Sequence, residues 1–220
     1  LPIGMLMTYL IPIRERVLSK GQHQARVCNQ GSHLEALDCL DSWGRRHQFA
    51  PAYSLGDILG QTPLLPNFSL ENLYAFERGN KVVGTLGVWD QQSFKQTIVT
   101  GYSAGMKVVK PFANGLARLK GLPVLPRSGG RIKSVYASLI SSMGDDPEIF
   151  RALLDRARAD WSGQGYDYLL VGLCEGNPLS ASVSPLANRV LRSKVYLVYW
   201  PEESVDLPKK GSTHLEVATL

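Results

Sequence analysis

Hydrophobic residues recur with a helical period in one part of the chain. Between residues 149 and 161, apolar side chains lie three and four positions apart, which is typical of a helix with one buried face. These residues are Ile149, Phe150, Leu153, Leu154, Ala157 and Trp161. Asp146 and Pro147 precede them and are the residue types preferred at the N-cap and the first helical position. The pattern predicts a helix that begins after Asp146 and ends before Gly163.

Other segments carry β-branched and aromatic residues in short runs, which predict strands. Tyr168–Cys174 is almost wholly apolar, so we expect a strand that is buried on both faces. The remaining predicted strands are Met5–Ile13, Gln24–Val27, Leu73–Glu77, Val82–Trp89, Phe94–Val99, Ser134–Ile140 and Val195–Trp200. Gly79-Asn80 separates two of them and tolerates the positive φ of a tight turn. Residues 73–99 are therefore predicted to form an antiparallel meander of three strands.

Further helices are predicted from weaker patterns. Ser32 followed by Glu35 has the spacing of a capping box, which would open a helix that ends near Gly44. Its apolar face would contain Leu34, Leu37, Leu40 and Trp43. Shorter helical segments are predicted around Leu55–Leu59 and Phe112–Leu119, and a short helical or irregular segment is predicted around Leu186–Leu191. The order of elements indicates a mixed α/β fold with a central meander rather than an alternating doubly wound sheet.

The predicted elements divide the chain into three parts. Residues 1–20 form a leading edge or extra strand with a link, residues 21–200 form the domain, and residues 201–220 form a tail that we expect to be mobile. No apolar run approaches the roughly 20 residues of a membrane span. The apolar start lacks the basic region of a signal peptide. Cys28, Cys39 and Cys174 lack metal or disulfide spacing, which favours a cytoplasmic, reducing compartment.

The net charge of +5 is unevenly distributed. No Asp or Glu occurs from Gln91 to Gly144, although this stretch holds eight basic residues. They are Lys95, Lys107, Lys110, Arg118, Lys120, Arg127, Arg131 and Lys133. The stretch is either a solvated basic face or a surface that attracts a phosphorylated cofactor, an acidic substrate, nucleic acid or anionic lipid. Sparse aromatic residues and the absence of a DNA-binding motif disfavour nucleic acid.

Three segments resemble the GNAT-type N-acyltransferases, which transfer an acyl group from acyl-coenzyme A. They read LYAFERGNKVVGTLGVWD from Leu73, SVYASLISSMGDDPEIFRALLDRARADW from Ser134 and YLLVGLCEGNPL from Tyr168. The stretch VWDQQSFKQTIVTGYS resembles a poorly characterised subgroup with two such modules in tandem. The resemblance implies acetyl-CoA or another acyl-CoA as co-substrate, a small-molecule or peptide amine as acceptor, and a second module as partner. Leu1–Ile13 would then resemble the closing strand of a preceding module.

In that family the strands equivalent to Ser134–Ile140 and Tyr168–Cys174 splay apart, and the cofactor's pantetheine arm binds backbone of the first. The turn that follows holds the pyrophosphate at a helix N-terminus. The cofactor residues implied here are Leu139, Ile140, Ser141, Met143, Gly144 and Asn177. Only Gly144 matches the family's signature for this turn. Asp145 and Asp146 would bring two carboxylates near the pyrophosphate unless they serve only to cap the helix.

For catalysis the resemblance implies a carboxylate that removes a proton from the attacking amine. Glu175 is the candidate base, with an exposed turn carboxylate as the alternative role. Tyr136 and Ser138 share one face of their strand and either line the acceptor cleft or pack in the core. The expected function is an acyl-CoA-dependent N-acyltransferase, with acetyl as the expected acyl group. The alternative is a catalytically degenerate module that binds a ligand or has a structural role.

Gly101–Gly105 also matches the G-x-S-x-G motif of esterases, with Ser103 at its centre. Its one downstream histidine is His214, which lies in the predicted tail, so we disfavour hydrolysis. His23, His33 and His47 lack ligand spacing with cysteines or carboxylates, so no metal site is expected. The acyltransferase hypothesis therefore depends on one geometric feature, an unfilled wedge between two neighbouring parallel strands.

Overall fold

The computed structural model describes residues 2–13, 25–28, 31–59, 63–200 and 212–220, and within them the fold is mixed α+β. The helices are α1 His33–Gly44, α2 Leu55–Leu59, α3 Ala104–Leu119, α4 Pro147–Asp160 and α5 Ser180–Val183. The strands are β1 Pro2–Pro12, β2 Ala25–Val27, β3 His47–Gln48, β4 Leu73–Arg78, β5 Lys81–Trp89, β6 Thr97–Ile98, β7 Arg131–Ile132, β8 Ser134–Ser142, β9 Tyr168–Cys174, β10 Arg189–Tyr196 and β11 Ser212–Thr213.

Seven of these strands form one sheet in the order β10-β1-β9-β8-β5-β4-β2. Neighbouring strands are antiparallel except β8 and β9, which are parallel. The expected α/β class is therefore confirmed at the level of a mixed sheet with helices. β1 was expected as an edge or extra strand, but it lies inside the sheet and pairs with both β9 and β10. Tyr9 and Ile11 are accordingly buried.

Helix α4 covers one face of the sheet, as its apolar stripe predicted. Ile149, Phe150, Leu153 and Leu154 are each no more than 1% exposed and pack with the apolar side chains of β5, β8 and β9. Asp146 accepts a hydrogen bond from the Glu148 N–H at 2.8 Å, and Pro147 occupies the first turn. The predicted start of this helix is confirmed, because the Asp146 cap, the Pro147 in the first turn and the first buried residues of the stripe all fall where the helix begins.

Helices α1 and α2 cover the opposite face. Ala36, Leu40 and Trp43 of α1 are buried there, whereas Leu34, predicted on the same face, is 58% exposed. The prediction of a capping box at Ser32 is wrong, because the Ser32 side chain makes no cap hydrogen bond and the residue has helical φ and ψ. Its hydroxyl instead bonds the Cys28 thiol. Tertiary packing has overridden a local capping signal at this position.

The predicted three-strand meander is half right. β4 and β5 form the expected hairpin, with positive φ at Gly79 and Asn80 in its turn. The third antiparallel strand is β8 rather than Phe94–Val99. Only β6 forms in that segment, and it pairs with β7 in a small separate sheet. Residues 91–133 are therefore an excursion between β5 and β8, which we call the basic excursion.

The last part of the chain differs most from expectation. Leu186–Leu191 was predicted to be a helical or irregular segment, but β10 begins at Arg189 and ends at Tyr196. The last strand therefore lies earlier than the predicted Val195–Trp200. Eight residues of β10 are in register with β1, which supplies hydrogen bonds regardless of local propensity. The expectation of a mobile tail is wrong for residues 212–220, which pack against the sheet and bury His214, Glu216 and Ala218.

Candidate functional site

β8 and β9 pair along only part of their length. Their register begins at Ser134↔Tyr168 and ends at Tyr136↔Leu170, although β8 continues to Ser142 and β9 to Cys174. The predicted divergence of these two strands is therefore present. Leu139, just past the last pair, has a positive φ of 50°, and the register between β5 and β8 shifts beside it. We call the gap between residues 137–142 and residues 171–174 the wedge.

Residues 212–220, which we call the C-terminal segment, occupy the wedge. β11 pairs in parallel with β3, and the His214 N–H bonds the Gln48 carbonyl at 2.9 Å. Val217 lies so close to Gly172 of β9 that a Cβ on this glycine would overlap the valine side chain. The buried Gln91 side chain donates to the Ala218 carbonyl at 2.6 Å. The segment thus contacts β9, β3 and the end of β5.

Glu216 is the polar centre of the wedge. Its side chain is 3% exposed at the residue level, and Oε1 accepts the Leu139 N–H at 2.9 Å. Oε2 accepts the Tyr53 hydroxyl at 3.1 Å. Burial raises the pKa of Glu216 to about 7, against the lowering effect of these two donors. The carboxyl thus uses the backbone amide of Leu139, the residue at the bend of β8.

His214 joins the C-terminal segment to α1. Its ring meets the Trp43 ring edge-on at 4.7 Å between centroids, and Trp43 stacks on His47 at 3.8 Å. Burial lowers the pKa of His214 to about 4, with a smaller contribution from His47. The imidazole is therefore neutral at pH 7 and acts as a packing group in the aromatic cluster.

The turn after β8 holds its two carboxylates in structural roles. Asp145 accepts the Trp43 indole N–H at 2.7 Å and lies 3.3 Å from Nε2 of His47. Asp146 caps α4, and the Ser142 hydroxyl donates to its carbonyl. Gly144 and Asp145 are both in the left-handed region, with φ of 66° and 53°. The alternative in which Asp146 caps the helix is therefore confirmed.

The residues predicted on β8 are brought together but buried. Leu139, Ile140 and Ser141 are at most 1% exposed. Ser141 Oγ lies 2.7 Å from the Thr85 hydroxyl and 3.5 Å from the Cys39 sulfur. The backbone of Leu139 is shared between Glu216 and Thr85, which donates to its carbonyl.

Tyr136 and Ser138 lie earlier in the same strand and are also buried. Tyr136 is 7% exposed, burial raises its pKa, and Nζ of Lys95 lies 4.8 Å from the centre of its ring. Ser138 is fully buried beside Gly87, and its hydroxyl has no hydrogen-bond partner in the described part of the chain. The structure therefore places both residues in the core, which corresponds to the packing role left open above.

Glu175 and Asn177 lie elsewhere, where the chain leaves β9. They line a cavity of about 200 Å³ together with Met5, Ser212 and Thr213. Glu175 is exposed, whereas Asn177 is 3% exposed and its Oδ1 accepts the Leu179 N–H at 2.9 Å. Neither Tyr136 nor Ser138 lines this cavity. The candidate base is thus separated from the other two candidate catalytic residues.

A larger cavity of about 700 Å³ opens between α1, the β4–β5 turn and the exposed Met143. Its charged lining residues are Glu35, Asp38, Arg46 and Lys81. Both signs of charge are present, so this cavity can accept a zwitterionic or mixed-charge ligand. It also adjoins the turn that the acyltransferase resemblance assigns to the pyrophosphate.

The esterase motif does not form a nucleophile elbow. Ser103 has ordinary extended φ and ψ of −60° and 159°, and its hydroxyl accepts the Met106 N–H as the cap of α3. The elbow requires a strained turn at the serine. His214, the only histidine that follows it, is buried in the wedge. The described residues also contain no group of three or more His, Cys, Asp or Glu that could hold a metal ion.

Sequence reasoning missed the C-terminal segment because it assigned residues 201–220 to a tail. The polar residues His214 and Glu216 alternate with Leu215 and Val217. This alternation is the pattern of a chain segment with one buried face, and here the polar side chains are the ones that point inward. Tyr53 and Gln91 were missed because single polar residues in loops carry no periodic signal.

The chain matches no family model, and no curated protein has a significantly similar sequence. In the part of the chain that the structure describes, no helix combines the length and the apolar character needed to cross a membrane.

Proposed function

We propose that this chain is a catalytically degenerate GNAT-like module, a structural or ligand-binding domain whose acyl-CoA wedge is filled by its own C-terminal segment. The hydrogen bond from the Leu139 N–H to Glu216 carries the proposal. In an acyltransferase of this type, exposed backbone of this strand is reserved for the pantetheine arm. Here an internal carboxyl uses the amide, and Val217 fills the adjacent space against Gly172.

The turn after β8 supports the same proposal. A helix N-terminus attracts phosphate because its first amides are unpaired and its dipole is positive. At α4 the Asp146 carboxylate already accepts one of these amides. Asp145 adds a second carboxylate close by, held through Trp43. A pyrophosphate would have to displace one negative charge and approach another.

The candidate catalytic residues also favour a module without turnover. Tyr136 and Ser138 are buried, and Glu175 is exposed at a different cavity. General acid–base catalysis requires these groups within hydrogen-bonding reach of one substrate. The cavity beside α1 and Met143 is the larger opening available to a ligand of this module.

A second candidate function is an N-acyltransferase that the C-terminal segment inhibits. The divergence of β8 and β9 supports it, because the two strands stop pairing after Tyr136 and Leu170 and Val217 of the segment lies against Gly172 in the gap. β11 and β3 share only two residue pairs. Release of the segment would free the Leu139 amide for a thioester-bearing arm.

Titration calorimetry with acetyl-CoA separates these two functions. We compare the unchanged chain with Glu216→Lys, which places a charge that the wedge cannot bury and so expels the C-terminal segment. Glu71→Lys makes the same change of charge at an exposed position and is the matched control. Thermal unfolding verifies that each variant retains a cooperative fold.

The proposal of a degenerate module predicts no heat with millimolar acetyl-CoA for any of the three proteins, and no acetylation of an amine panel. Binding by Glu216→Lys alone would replace it with the inhibited acyltransferase. Binding and amine acetylation by the unchanged chain would contradict it directly.

A further inference from the structure

Helix α3 packs against the protein with its polar side. The Asn114 side chain exchanges two hydrogen bonds with the backbone of Leu125, and Lys110 donates to the Pro126 carbonyl. Tyr102, just before the helix, donates to the same carbonyl. None of the residues of α3 is buried. The helix is therefore attached to a loop of the basic excursion rather than to the core.

The opposite side of α3 is apolar and faces outward. Its apolar residues fall within about 100° of arc on a helical projection with 3.6 residues per turn. These residues are Val108 70% exposed, Val109 53%, Phe112 79%, Leu116 54% and Leu119 86%. We call this side the apolar face of α3. An ordinary surface helix turns such a face toward the core, so the orientation of α3 is inverted.

The segment that carries this face is basic. The basic excursion contains eight Lys and Arg residues and no Asp or Glu. None of these eight residues forms an ion pair with another residue in the described part of the chain. Lys107, Arg118 and Lys120 of the helix region are exposed. The excursion thus presents unneutralised positive charge together with apolar side chains.

We propose that the apolar face of α3 binds the surface of an anionic lipid bilayer. Amphipathic helices with basic residues and exposed Phe and Leu lie in the interface of such membranes, with the apolar side chains among the acyl chains. The long Lys and Arg side chains reach lipid phosphates while their stems stay in contact with the apolar layer. The helix would lie parallel to the membrane plane.

The exposure of α3 favours lipid over a protein groove. No residue of α3 is buried, and a fluid bilayer accommodates an exposed amphipathic helix without a complementary cleft. The helix also contains Pro111, Gly105 and Gly115, which lower its intrinsic helical stability. Binding to an interface should therefore measurably increase the order of this helix. Phe94 and Ile98, also in the excursion, add 53% and 51% exposed apolar side chains.

Co-sedimentation of the full chain with vesicles tests the proposal. One set of vesicles contains phosphatidylcholine alone, and the other contains phosphatidylcholine with phosphatidylglycerol. We expect binding at least about tenfold stronger to the anionic vesicles, reduced by high salt because surface charges are screened. Hydrogen exchange of the α3 amides should slow on binding.

Two pairs of variants separate the contributions of the helix. Phe112→Ser with Leu119→Ser removes apolar contact, and we expect a loss of at least about tenfold in vesicle binding. Leu34→Ser with Leu64→Ser removes two other exposed leucines, 58% and 63% exposed, and should leave binding within about twofold. Lys107→Gln with Lys120→Gln should weaken binding to anionic vesicles only, whereas Arg192→Gln with Lys194→Gln on β10 should not.

Absence of sedimentation with anionic vesicles overturns the proposal, as does equal binding by the Phe112/Leu119 variant. Light scattering checks the alternative occupant. If the unchanged chain forms a dimer that this variant converts to a monomer, and vesicles are not bound, the face is an interface between copies. Because all four substituted side chains are exposed, unchanged thermal unfolding is expected for both helix variants.

Discussion

The two faces of the seven-stranded sheet are closed in different ways. Under α4 the core is apolar, and Phe150, Leu153 and Leu154 are completely buried. On the other face, beside α1 and α2, the wedge is closed by the C-terminal segment, which brings Glu216 and His214 into the interior. One face relies on a regular amphipathic helix, and the other relies on an irregular segment held partly by polar contacts.

The difference affects how each face can be opened. Apolar burial is nondirectional and insensitive to pH, whereas buried ionisable groups make closure depend on protonation. A regular helix also loses its contacts as a unit, whereas a short segment can detach with the sheet intact. We therefore expect substitutions under α4 to change global stability and substitutions in the wedge to change local opening.

The largest effect is expected for Leu153→Ala under α4. Loss of a fully buried leucine leaves a cavity, which lowers the free energy of unfolding by about 2–5 kcal/mol. Denaturant titration measures this change. Leu64→Ala, at a leucine that is 63% exposed, should change it by less than about 0.5 kcal/mol. A loss below about 1 kcal/mol for Leu153→Ala would mean that this face is not the main core.

The second prediction concerns pH and the wedge. The pKa of Glu216 is raised from 4.5 to about 7, so its charge opposes docking of the segment increasingly as pH rises through this range. The pKa of His214 is lowered from 6.5 to about 4, so its charge opposes docking increasingly as pH falls through that range. Between pH 4.5 and 6.5 the two effects cancel, so docking in the unchanged chain should depend little on pH.

Single substitutions remove the cancellation. In His214→Asn, docking should weaken by about 3 kcal/mol as pH rises from 4.5 to 7. In Glu216→Gln, docking should weaken by about 3 kcal/mol as pH falls from 6.5 to 4. Hydrogen exchange of the Leu139 and His214 amides, corrected for the intrinsic pH dependence, reports the opening. Parallel pH profiles in both variants would contradict the assignment of opposite signs.

The third prediction uses two glycines as a matched pair. A Cβ at Gly84 would meet Ile149 of α4, and a Cβ at Gly172 would meet Val217 of the C-terminal segment. Gly84→Ala should lower the free energy of unfolding by about 1–3 kcal/mol because α4 cannot move aside. Gly172→Ala should instead expel the segment and speed exchange of the Leu139 amide.

Val217→Gly supplies the control for this pair. Combined with Gly172→Ala, it removes the overlapping side chain and should restore protection of the Leu139 amide. It should have no restoring effect when combined with Gly84→Ala. If Gly172→Ala lowered global stability as much as Gly84→Ala, the two faces would open together.

The smallest effect is expected for two serines of β8. The Ser138 hydroxyl is buried without a partner in the described part of the chain, so Ser138→Ala should leave stability unchanged or raise it slightly. Ser141 lies within hydrogen-bonding distance of Thr85 and Cys39, so Ser141→Ala should lower stability by about 1 kcal/mol. Thermal unfolding compares the two variants. A larger loss of stability for Ser138→Ala than for Ser141→Ala would contradict the view that Ser141, and not Ser138, makes the stabilising hydrogen bonds of β8.

Much of the fold could be predicted because its signals are periodic and local. Three local patterns each predicted the correct element. They are the α4 stripe with its Asp146 cap, the Gly79-Asn80 turn of the hairpin and the apolar run of β9. The position of β1 could not be predicted, because pairing with β9 depends on residues far along the chain. The strand at Phe94–Val99 failed because its β-branched residues lie in an exposed excursion.

The candidate site was predictable only in part. The divergence of β8 and β9 was expected, and Leu139 lies at the bend. The sequence did not predict that the C-terminal segment fills the wedge. Glu216 is a carboxylate in a polar stretch, and such side chains ordinarily remain at the surface. Its burial follows from partners at Leu139 and Tyr53, which are remote in sequence.

The placement of β1 also bears on how the polypeptide reaches its native state during translation. Leu6 of β1 pairs with Cys174 of β9. Roughly 160 further residues must therefore be synthesised after β1 before its partner strand leaves the ribosome. Until then neither β9 nor β10 is available to pair with β1, and apolar residues such as Tyr9 and Ile11 lack the contacts that bury them in the native sheet. We therefore expect slow maturation and a dependence on chaperones that shield β1.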